Sequence, residues 1–169
     1  SPTPTAVAHP CDESSLRGAV QAMKMGLLRP ILVGPKARID ALAAQFDIDI
    51  ADCERVDTPH SAASAETAVR LAREGKAEML MKGSLHTDEL MAAVVKRETG
   101  LRTSRRISHC FIMDVPAIDR VLIVTDAAVN IFPTLEDKVH IVQNAIDLAR
   151  ALGMEQPKVA ILSAMETVN

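Results

Sequence analysis

The feature that most constrains the fold of this sequence is an alternation of short apolar runs with longer segments of helical periodicity. The short runs occupy residues 5–8, 31–33, 79–81 and 159–162. After each of the first three runs, apolar residues recur every three or four positions, which is typical of an amphipathic helix. Alternating strands and helices predict an α/β fold in three layers, α/β/α, with a mostly parallel sheet between two layers of helices.

Capping residues and glycines mark where the predicted helices begin and end. Asp12 and Thr87 stand in N-cap positions, and Gly26 follows the first helix. The clearest helix begins after Thr134 and ends before Gly153. Its apolar residues form one stripe of the kind that faces a core, namely Leu135, Val139, Val142, Ala145, Ile146, Ala149 and Leu152.

The second half of the chain has a different pattern. Two extended runs, 107–115 and 121–124, are separated by a short turn with proline, which predicts a hairpin or an antiparallel excursion. The run at 159–162 is typical of a buried strand, yet no covering helix follows it. We therefore expect a first α/β domain over 1–103 and the start of a second over 104–169, whose remainder is absent from this chain.

Charge and aromatic content exclude several classes of partner. The chain has 22 acidic and 19 basic residues, a formal charge of −3, and neither tryptophan nor tyrosine. Binding nucleic acid over a broad surface needs clustered cations and stacking rings, so we expect no nucleic-acid partner. We also expect no membrane partner and a cytoplasmic location, since no apolar run reaches membrane-spanning length and no signal segment opens the chain.

Metal, nucleotide and thiol chemistry find little support in the sequence. The five histidines show no HxxxH or HxH spacing, so no metal site is predicted. GxGxxG and GxxxxGK(S/T) are absent, which argues against dinucleotide and P-loop binding. The three cysteines, Cys11, Cys53 and Cys110, are far apart and are expected to be reduced thiols. Cys110 is expected in the core beside Phe111 and Ile112.

Residues directly after predicted strands are the natural site candidates, because ligands of parallel sheets gather at the carboxyl ends of the strands. These positions are 9–11, 34–35, 82–87, 125–126 and Ser163. The 82–87 loop stands out, since it combines Lys82, Gly83 and two hydroxyls with a helix start that favours anions. An ordinary capped helix explains the same residues, because its first turn already carries two acidic side chains.

Two further groups of polar residues allow two interpretations each. Arg102, Arg105 and Arg106 form either an anion site or a solvated charge cluster. Asp126 and Asn130 follow a predicted strand, where an acid serves as a base, a hydroxyl anchor or a cap. The local pattern leaves both alternatives open.

Several ordered segments, taken together, resemble a known family. They are 81–87 (MKGSLHT), 100–103 (GLRT), 107–109 (ISH), 125–131 (TDAAVNI) with Pro133 and Lys138, and 161–169. This series resembles the phosphate acetyltransferase/phosphate butyryltransferase family over about the N-terminal half of the enzyme. The MKG and GLRT segments fit the butyryl type better, because the acetyl type has an Arg-Pro pair where this chain has residues 92–94, Ala-Ala-Val.

The resemblance implies a reaction and an architecture. The reaction is acyl-CoA + phosphate ⇌ acyl phosphate + CoA, through a ternary complex of the CoA thiol and the acyl phosphate. The architecture is an isocitrate/isopropylmalate dehydrogenase-like α/β/α fold, with two domains around a cleft, in a homodimer. The implied substrates are acyl-CoA, phosphate and acyl phosphate, and no cofactor is tightly bound.

The resemblance also implies roles for individual residues. Ser84, Arg105 and Asp126 are the implied catalytic residues. The implied substrate-binding residues are Lys82, Gly83, His86, Thr87, Ser108, Asn130 and Ser163. The strongest catalytic motifs of the family lie in the half of the enzyme that this chain does not contain.

Other functions remain open from the sequence. A catalytically silent acyl-CoA or phosphate-binding domain would use the same scaffold. A structural fragment would instead assemble through its apolar strand end. An acyl-acyl-carrier-protein phosphate acyltransferase and a decarboxylating dehydrogenase are further enzymes of the same fold group.

Overall fold

The first unit of the structure alternates four strands with four helices, as the periodicity predicts. The computed structural model describes residues 1–126 and 128–162, and the chain divides into two compact units, Ser1–Arg102 and Thr103–Asn169. The elements of the first unit are β1 (Thr3–Ala8), α1 (Glu13–Lys24), β2 (Leu28–Gly34), α2 (Lys36–Gln45), β3 (Glu54–Asp57), α3 (Ser61–Arg73), β4 (Met79–Lys82) and α4 (Thr87–Val95).

The four strands form one parallel sheet in the order β3-β2-β1-β4. The carboxyl ends of all four strands therefore meet at one edge, where ligands of such sheets bind. Strand β3, which lies at the side of the sheet, was not predicted from the sequence. Its residues Glu54, Arg55 and Asp57 are exposed, so the strand lacks the apolar pattern by which the others were found.

Helices cover both faces of this sheet, which confirms the predicted α/β fold. On one face, Ala6, Ala8 and Ile31 pack against α3 and α4. On the other face, Val7 and Leu32 pack against α1 and α2. Each of these five side chains is at most 1% exposed. Burying a valine, leucine or isoleucine is worth about 1.5–3 kcal/mol, so the alternating strand residues are a main source of the unit's stability.

The predicted helix ends are largely confirmed. The Asp12 carboxylate caps α1 by accepting from the backbone N–H of Ser15 at 2.8 Å. Gly26 ends the turn after α1 with φ +72°, a conformation that glycine adopts without strain. The prediction for α4 is wrong by one residue, because His86 is its N-cap and Thr87 is its first helical residue.

The second unit contains a two-stranded sheet and one long helix. These elements are β5 (Cys110–Met113), β6 (Leu122–Thr125) and α5 (Leu135–Ala151). The two strands are antiparallel, with Cys110 opposite Thr125 and Met113 opposite Leu122, which confirms the predicted antiparallel pair. Thr134 caps α5 as predicted, accepting from the N–H of Asp137 at 3.2 Å.

Burial in the second unit differs from the sequence-based expectation. Cys110 begins β5 and is only partly buried, while Phe111 and Ile112 are 49% and 52% exposed. The predicted apolar stripe of α5 is open at its beginning, where Leu135 and Val139 are 82% and 60% exposed, while Ala149 near its end is buried. The physical reason is size, because two short strands cannot cover a helix of 17 residues.

The predicted strand at 159–162 is wrong for the described structure. These residues have no strand assignment and are exposed, with Leu162 at 90%. A strand exists only when a neighbouring strand accepts and donates its backbone hydrogen bonds, and no described strand lies beside this segment.

Among the described residues, no helix has the length and apolarity needed to span a membrane. All three cysteines are free thiols.

Candidate active site

The loop that follows β4 lies against the end of β1. The N–H of Gly83 donates to the Ala8 carbonyl at 2.9 Å, and the N–H of Ser84 donates to the His9 carbonyl at 2.9 Å. A Cβ atom at Gly83 would lie 2.6 Å from the carbonyl carbon of His9, and closer still to the Ala8 and His9 oxygens. Only glycine therefore fits where the two strand ends approach this closely.

The Ser84 hydroxyl joins the loop to the β1 end a second time. It donates to the His9 carbonyl at 2.9 Å and accepts from the N–H of Cys11 at 3.3 Å. A hydroxyl has one proton and two lone pairs, so one lone pair is left for a ligand. The Ser84 hydroxyl therefore orients the loop and retains one lone pair that can accept a hydrogen bond from a ligand.

The Lys82 ammonium folds back over the same loop. Its Nζ donates to the carbonyls of Gly83 at 3.1 Å and Leu85 at 2.7 Å. Since an ammonium has three donors, these two bonds leave one donor for another partner. The Lys82 ammonium is thus held beside the 82–87 loop.

The start of α4 already has an anion of its own. Glu89 accepts from the N–H of His86 at 3.1 Å and from the Ser61 hydroxyl at 2.7 Å. These bonds, that of Ser61 first, hold the pKa of the Glu89 carboxyl below its usual range. The ionised Glu89 therefore occupies the start of α4, which agrees with the interpretation of an ordinary capped helix.

A buried polar chain lies below the β1 end. His9, Thr58 and Ser64 are 8%, 6% and 0% exposed. The Ser64 hydroxyl is 3.1 Å from His9 Nδ1, 2.8 Å from Thr58 Oγ1 and 2.9 Å from the His60 carbonyl oxygen. From the sequence, His9 was a candidate only as a strand-end residue, and Thr58 and Ser64 were not predicted. Thr58 directly follows β3. Because β3 was not predicted, Thr58 was not among the candidate residues at strand ends.

In the second unit, the Asp126 carboxylate is surrounded by donors of its own chain. It accepts from the backbone N–H groups of His109, Ala128 and Val129 at 3.2 Å each, from that of Asn130 at 3.0 Å, and from the Asn130 side-chain amide. Burial raises the pKa of Asp126, but these bonds outweigh burial and lower it overall. The carboxylate is ionised, and its geometry is that of a cap.

Asn130 and Arg106 connect this loop to the start of α5. The Asn130 amide donates to the Ile107 carbonyl at 3.0 Å and accepts from Arg106 Nε at 2.7 Å. Arg106 also pairs with Asp137 at 3.3 Å, and its backbone N–H donates to His140 Nδ1 at 3.0 Å. Arg106 was one of three candidate anion-binding arginines, and here it organises the loop.

Arg105 and Ser108 both bond to side chains of α5. Arg105 forms an ion pair with Asp147, and this pair, followed by the bond from Gln143, keeps the pKa of Asp147 low. Ser108 Oγ accepts from the Asn144 amide at 2.9 Å. Two arginines of the cluster, Arg105 and Arg106, are therefore each paired with an acidic residue of α5.

The structure thus gathers the predicted residues into two groups. The loop group in the first unit contains Lys82, Gly83, Ser84, His86 and Thr87. The group in the second unit contains Asp126 and Asn130, with Arg105 and Ser108 reaching α5 separately. Ser163 lies outside the described residues. Within 1–126 and 128–162, no three histidine, cysteine or acidic side chains converge on a point that could hold a metal ion.

Comparisons with known proteins give the relationship of the chain. A family model described as "Phosphate acetyl/butaryl transferase" matches residues 62–169. The chain is 61% identical over 168 residues to a phosphate acetyltransferase of Rhizobium meliloti, covering 99% of this chain and 53% of that protein. It is 39% identical over 164 residues to a phosphate butyryltransferase of Clostridium acetobutylicum, covering 97% of this chain and 54% of that protein.

A solved structure supports the same relationship. The crystal structure of a branched-chain phosphotransacylase from Enterococcus faecalis V583 superposes with a TM-score of 0.78 at 30% identity, covering 99% of this chain and 58% of that one. The chain spans about half the length of the curated relatives it matches. Identity is higher to the acetyltransferase than to the butyryltransferase, although the MKG and GLRT segments resemble the butyryl type. The chain belongs to the phosphate acetyl/butyryl transferase family.

Proposed function

We propose that the full-length protein is a phosphate acyltransferase, which reversibly transfers a short acyl group, acetyl or butyryl, between CoA and inorganic phosphate. The observation that carries this proposal is the family match, which includes the 82–87 loop and the Asp126–Asn130 loop. Both loops follow strands and are fixed by their own hydrogen bonds, which is the rigidity that a positioned site requires.

The reaction needs positioning more than it needs a cofactor. A phosphate oxygen attacks the thioester carbonyl, a C–O bond forms, the C–S bond breaks, and the thiolate of CoA leaves and takes a proton. Both reactants are anions, so a site must hold them in line and stabilise the developing charge. We propose that CoA, acyl-CoA, phosphate and acyl phosphate are substrates and that no cofactor is tightly bound.

Our proposals for individual residues follow their contacts. Ser84 and Arg105 contact the reacting groups, through a free lone pair and a guanidinium respectively. Asp126 acts on the reaction by holding its loop, because five donors already fill its carboxylate. The proposed substrate contacts are Lys82, Gly83, His86, Thr87, Ser108, Asn130 and Ser163.

We further propose that 104–169 begins a second α/β domain. The support is the open first part of the apolar stripe of α5, where Leu135 and Val139 are exposed and need further elements to cover them. A homodimer and a cytoplasmic location are also part of this proposal. Sedimentation of the full-length protein, with and without CoA, tests the dimer.

The test of the function is CoA release from acetyl-CoA and from butyryl-CoA in the presence of phosphate, measured with the full-length protein. We expect phosphate-dependent turnover, and the ratio of the two rates gives the acyl preference. CoA binding without turnover would contradict the proposal and favour the silent binding domain. A nicotinamide-dependent absorbance change would favour a dehydrogenase instead.

Ser84→Ala is expected to lower kcat/KM by about 10- to 100-fold, because the loop loses its side-chain tie to the β1 end and one acceptor for substrate. The control is Ser14→Ala, which removes an exposed hydroxyl from α1 and should leave the rate unchanged. Equal rates in the two variants would remove Ser84 from the site.

Arg105→Ala is expected to lower kcat/KM by a similar factor, about 10- to 100-fold, while the protein stays folded. Its ion pair with Asp147 is half exposed, so little stability depends on it. Arg29→Ala is the matched control, since Arg29 forms a long, exposed pair with Glu54 near the start of β2. Wild-type kinetics in Arg105→Ala would defeat the assignment.

A further inference from the structure

The buried chain of His9, Ser64 and Thr58 fixes the protonation of the His9 ring. Ser64 has one hydroxyl proton and three polar neighbours, and the His60 carbonyl among them can only accept. All three contacts are satisfied together in one way, in which Ser64 donates to the His60 carbonyl. Thr58 Oγ1 and His9 Nδ1 then both donate to Ser64 Oγ. The His9 ring therefore carries a proton on Nδ1, and its lowered pKa favours the form with that proton alone.

The main chain of His9 anchors the loop after β4. Its carbonyl accepts from the Ser84 N–H at 2.9 Å, the Ser84 hydroxyl at 2.9 Å and the Cys11 N–H at 2.8 Å. To aim the carbonyl this way, His9 adopts φ +56°, a left-handed conformation that is uncommon for a residue with a Cβ. The hydrogen bond from the His9 side chain to Ser64 helps to hold that backbone conformation.

We propose that His9 is a positioning residue for the 82–87 loop: its ring, held by Ser64 as the Nδ1–H tautomer, fixes the carbonyl that anchors Ser84. Neither the family description nor the relatives' names assign His9 a role. The inference acts through Ser84 and so rests on the proposed acyltransferase function for its kinetic consequences. Its structural part stands on hydrogen bonds within the first unit alone.

The surroundings of His9 lower the pKa of its ring and so make stability depend on pH. Burial is the first cause that lowers the pKa of His9, and Arg38 on α2 and His60 at the start of α3 lower it further, against Glu89 on α4, which raises it. Protonation therefore opposes the folded arrangement. The contribution of the neutral ring to stability is fully present above about pH 6.5, the ordinary histidine value, and is lost as the pH falls through the lower pKa of the folded protein, because the charged ring is costly to bury.

The experiment compares His9→Asn with His9→Ala in the full-length protein. Asparagine tolerates φ near +56° and can donate from Nδ2 to Ser64, but it does not titrate. We expect wild-type activity to fall below the ordinary histidine range, and we expect His9→Asn to keep kcat within about threefold at pH 8 and to lack this fall. We expect His9→Ala to lower kcat at least about tenfold at pH 8 and to speed hydrogen exchange of the Ser84 amide.

The outcomes separate the two proposals. An acid limb retained in His9→Asn, equal kcat in both variants, or an Nε2–H tautomer in nitrogen-15 NMR of the wild-type ring would overturn the role of His9. If wild type shows no phosphate-dependent CoA release, the acyltransferase proposal fails by itself. In that case the ring tautomer and the Ser84 exchange rates still decide whether His9 positions the loop.

Discussion

Gly83→Ala is expected to lower the free energy of unfolding by about 3 kcal/mol and to remove most of the acyl-transfer activity. The added methyl group would overlap the carbonyls of Ala8 and His9, which are main-chain atoms at the end of β1 and cannot rotate away as a flexible side chain can. The structure must then separate β1 from the loop after β4, and the bonds from Gly83 and Ser84 to β1 break. Denaturant unfolding and the CoA-release assay measure the two effects.

Gly18→Ala is the matched control for this prediction. Gly18 lies inside α1, and a Cβ there would meet only the end of the Met81 side chain at 4.0 Å. Alanine is the better helix former by about 1 kcal/mol, so this variant should be as stable as wild type or more stable. If Gly83→Ala unfolded at the same denaturant concentration as Gly18→Ala, the close approach of the two strand ends would be wrong.

Asp126→Asn has the second largest expected effect, a loss of about 2 kcal/mol of stability in the second unit and at least about tenfold in acyl transfer. One carboxylate oxygen accepts from His109, Ala128 and Val129, and the other accepts from the Asn130 main chain and side chain. An asparagine amide has only one oxygen, so one of the two positions that carboxylate oxygens occupy in wild type would hold an NH₂ group. That NH₂ group would face N–H donors and could not accept from them. The loop therefore loses the hydrogen bonds on that side, and the NH₂ group and the facing N–H groups repel one another.

The pH dependence of stability checks the cause of that loss. The net lowering of the Asp126 pKa means that its ionised form stabilises the folded state at a pH above about 3.9, the ordinary aspartate value, and that this stability is lost as the pH falls through the folded pKa. Thermal unfolding of Asp126→Asn should lack this part of the acid destabilisation. Asp114→Asn, which changes an exposed acid after β5, should retain it. Parallel acid curves for wild type and Asp126→Asn would contradict the cap.

Much of the first unit could be predicted because its signals are local. Val7 and Leu32 alternate with the residues that face the opposite helix layer, and Asp12 and Gly26 mark the ends of α1. These patterns arise from strand and helix periodicity and from capping, which act over a few residues. Strand β3 was missed because a polar strand at the side of a sheet is defined by its neighbour β2 and has no apolar pattern of its own.

The candidate site was predictable in its residue types and not in its bonding. The sequence indicated that Lys82, Gly83 and Ser84 belong to a strand-end loop, and the structure places Gly83 and Ser84 there and Lys82 at the last position of β4. It could not indicate that Lys82 bonds to loop carbonyls or that Glu89 accepts from the Ser61 hydroxyl. Such contacts depend on side-chain directions, which a linear pattern does not contain.

The sequence by itself determined the alternation of strands and helices, the helix caps and the family, because periodicity, capping chemistry and ordered motifs are properties of neighbouring residues. Only the tertiary structure decided which strand lies beside which. It alone joined His9 to Ser64 across 55 positions and turned Asp126 and Arg106 inward to their own loop. These are long-range contacts, and their partners are chosen when distant segments fold against one another.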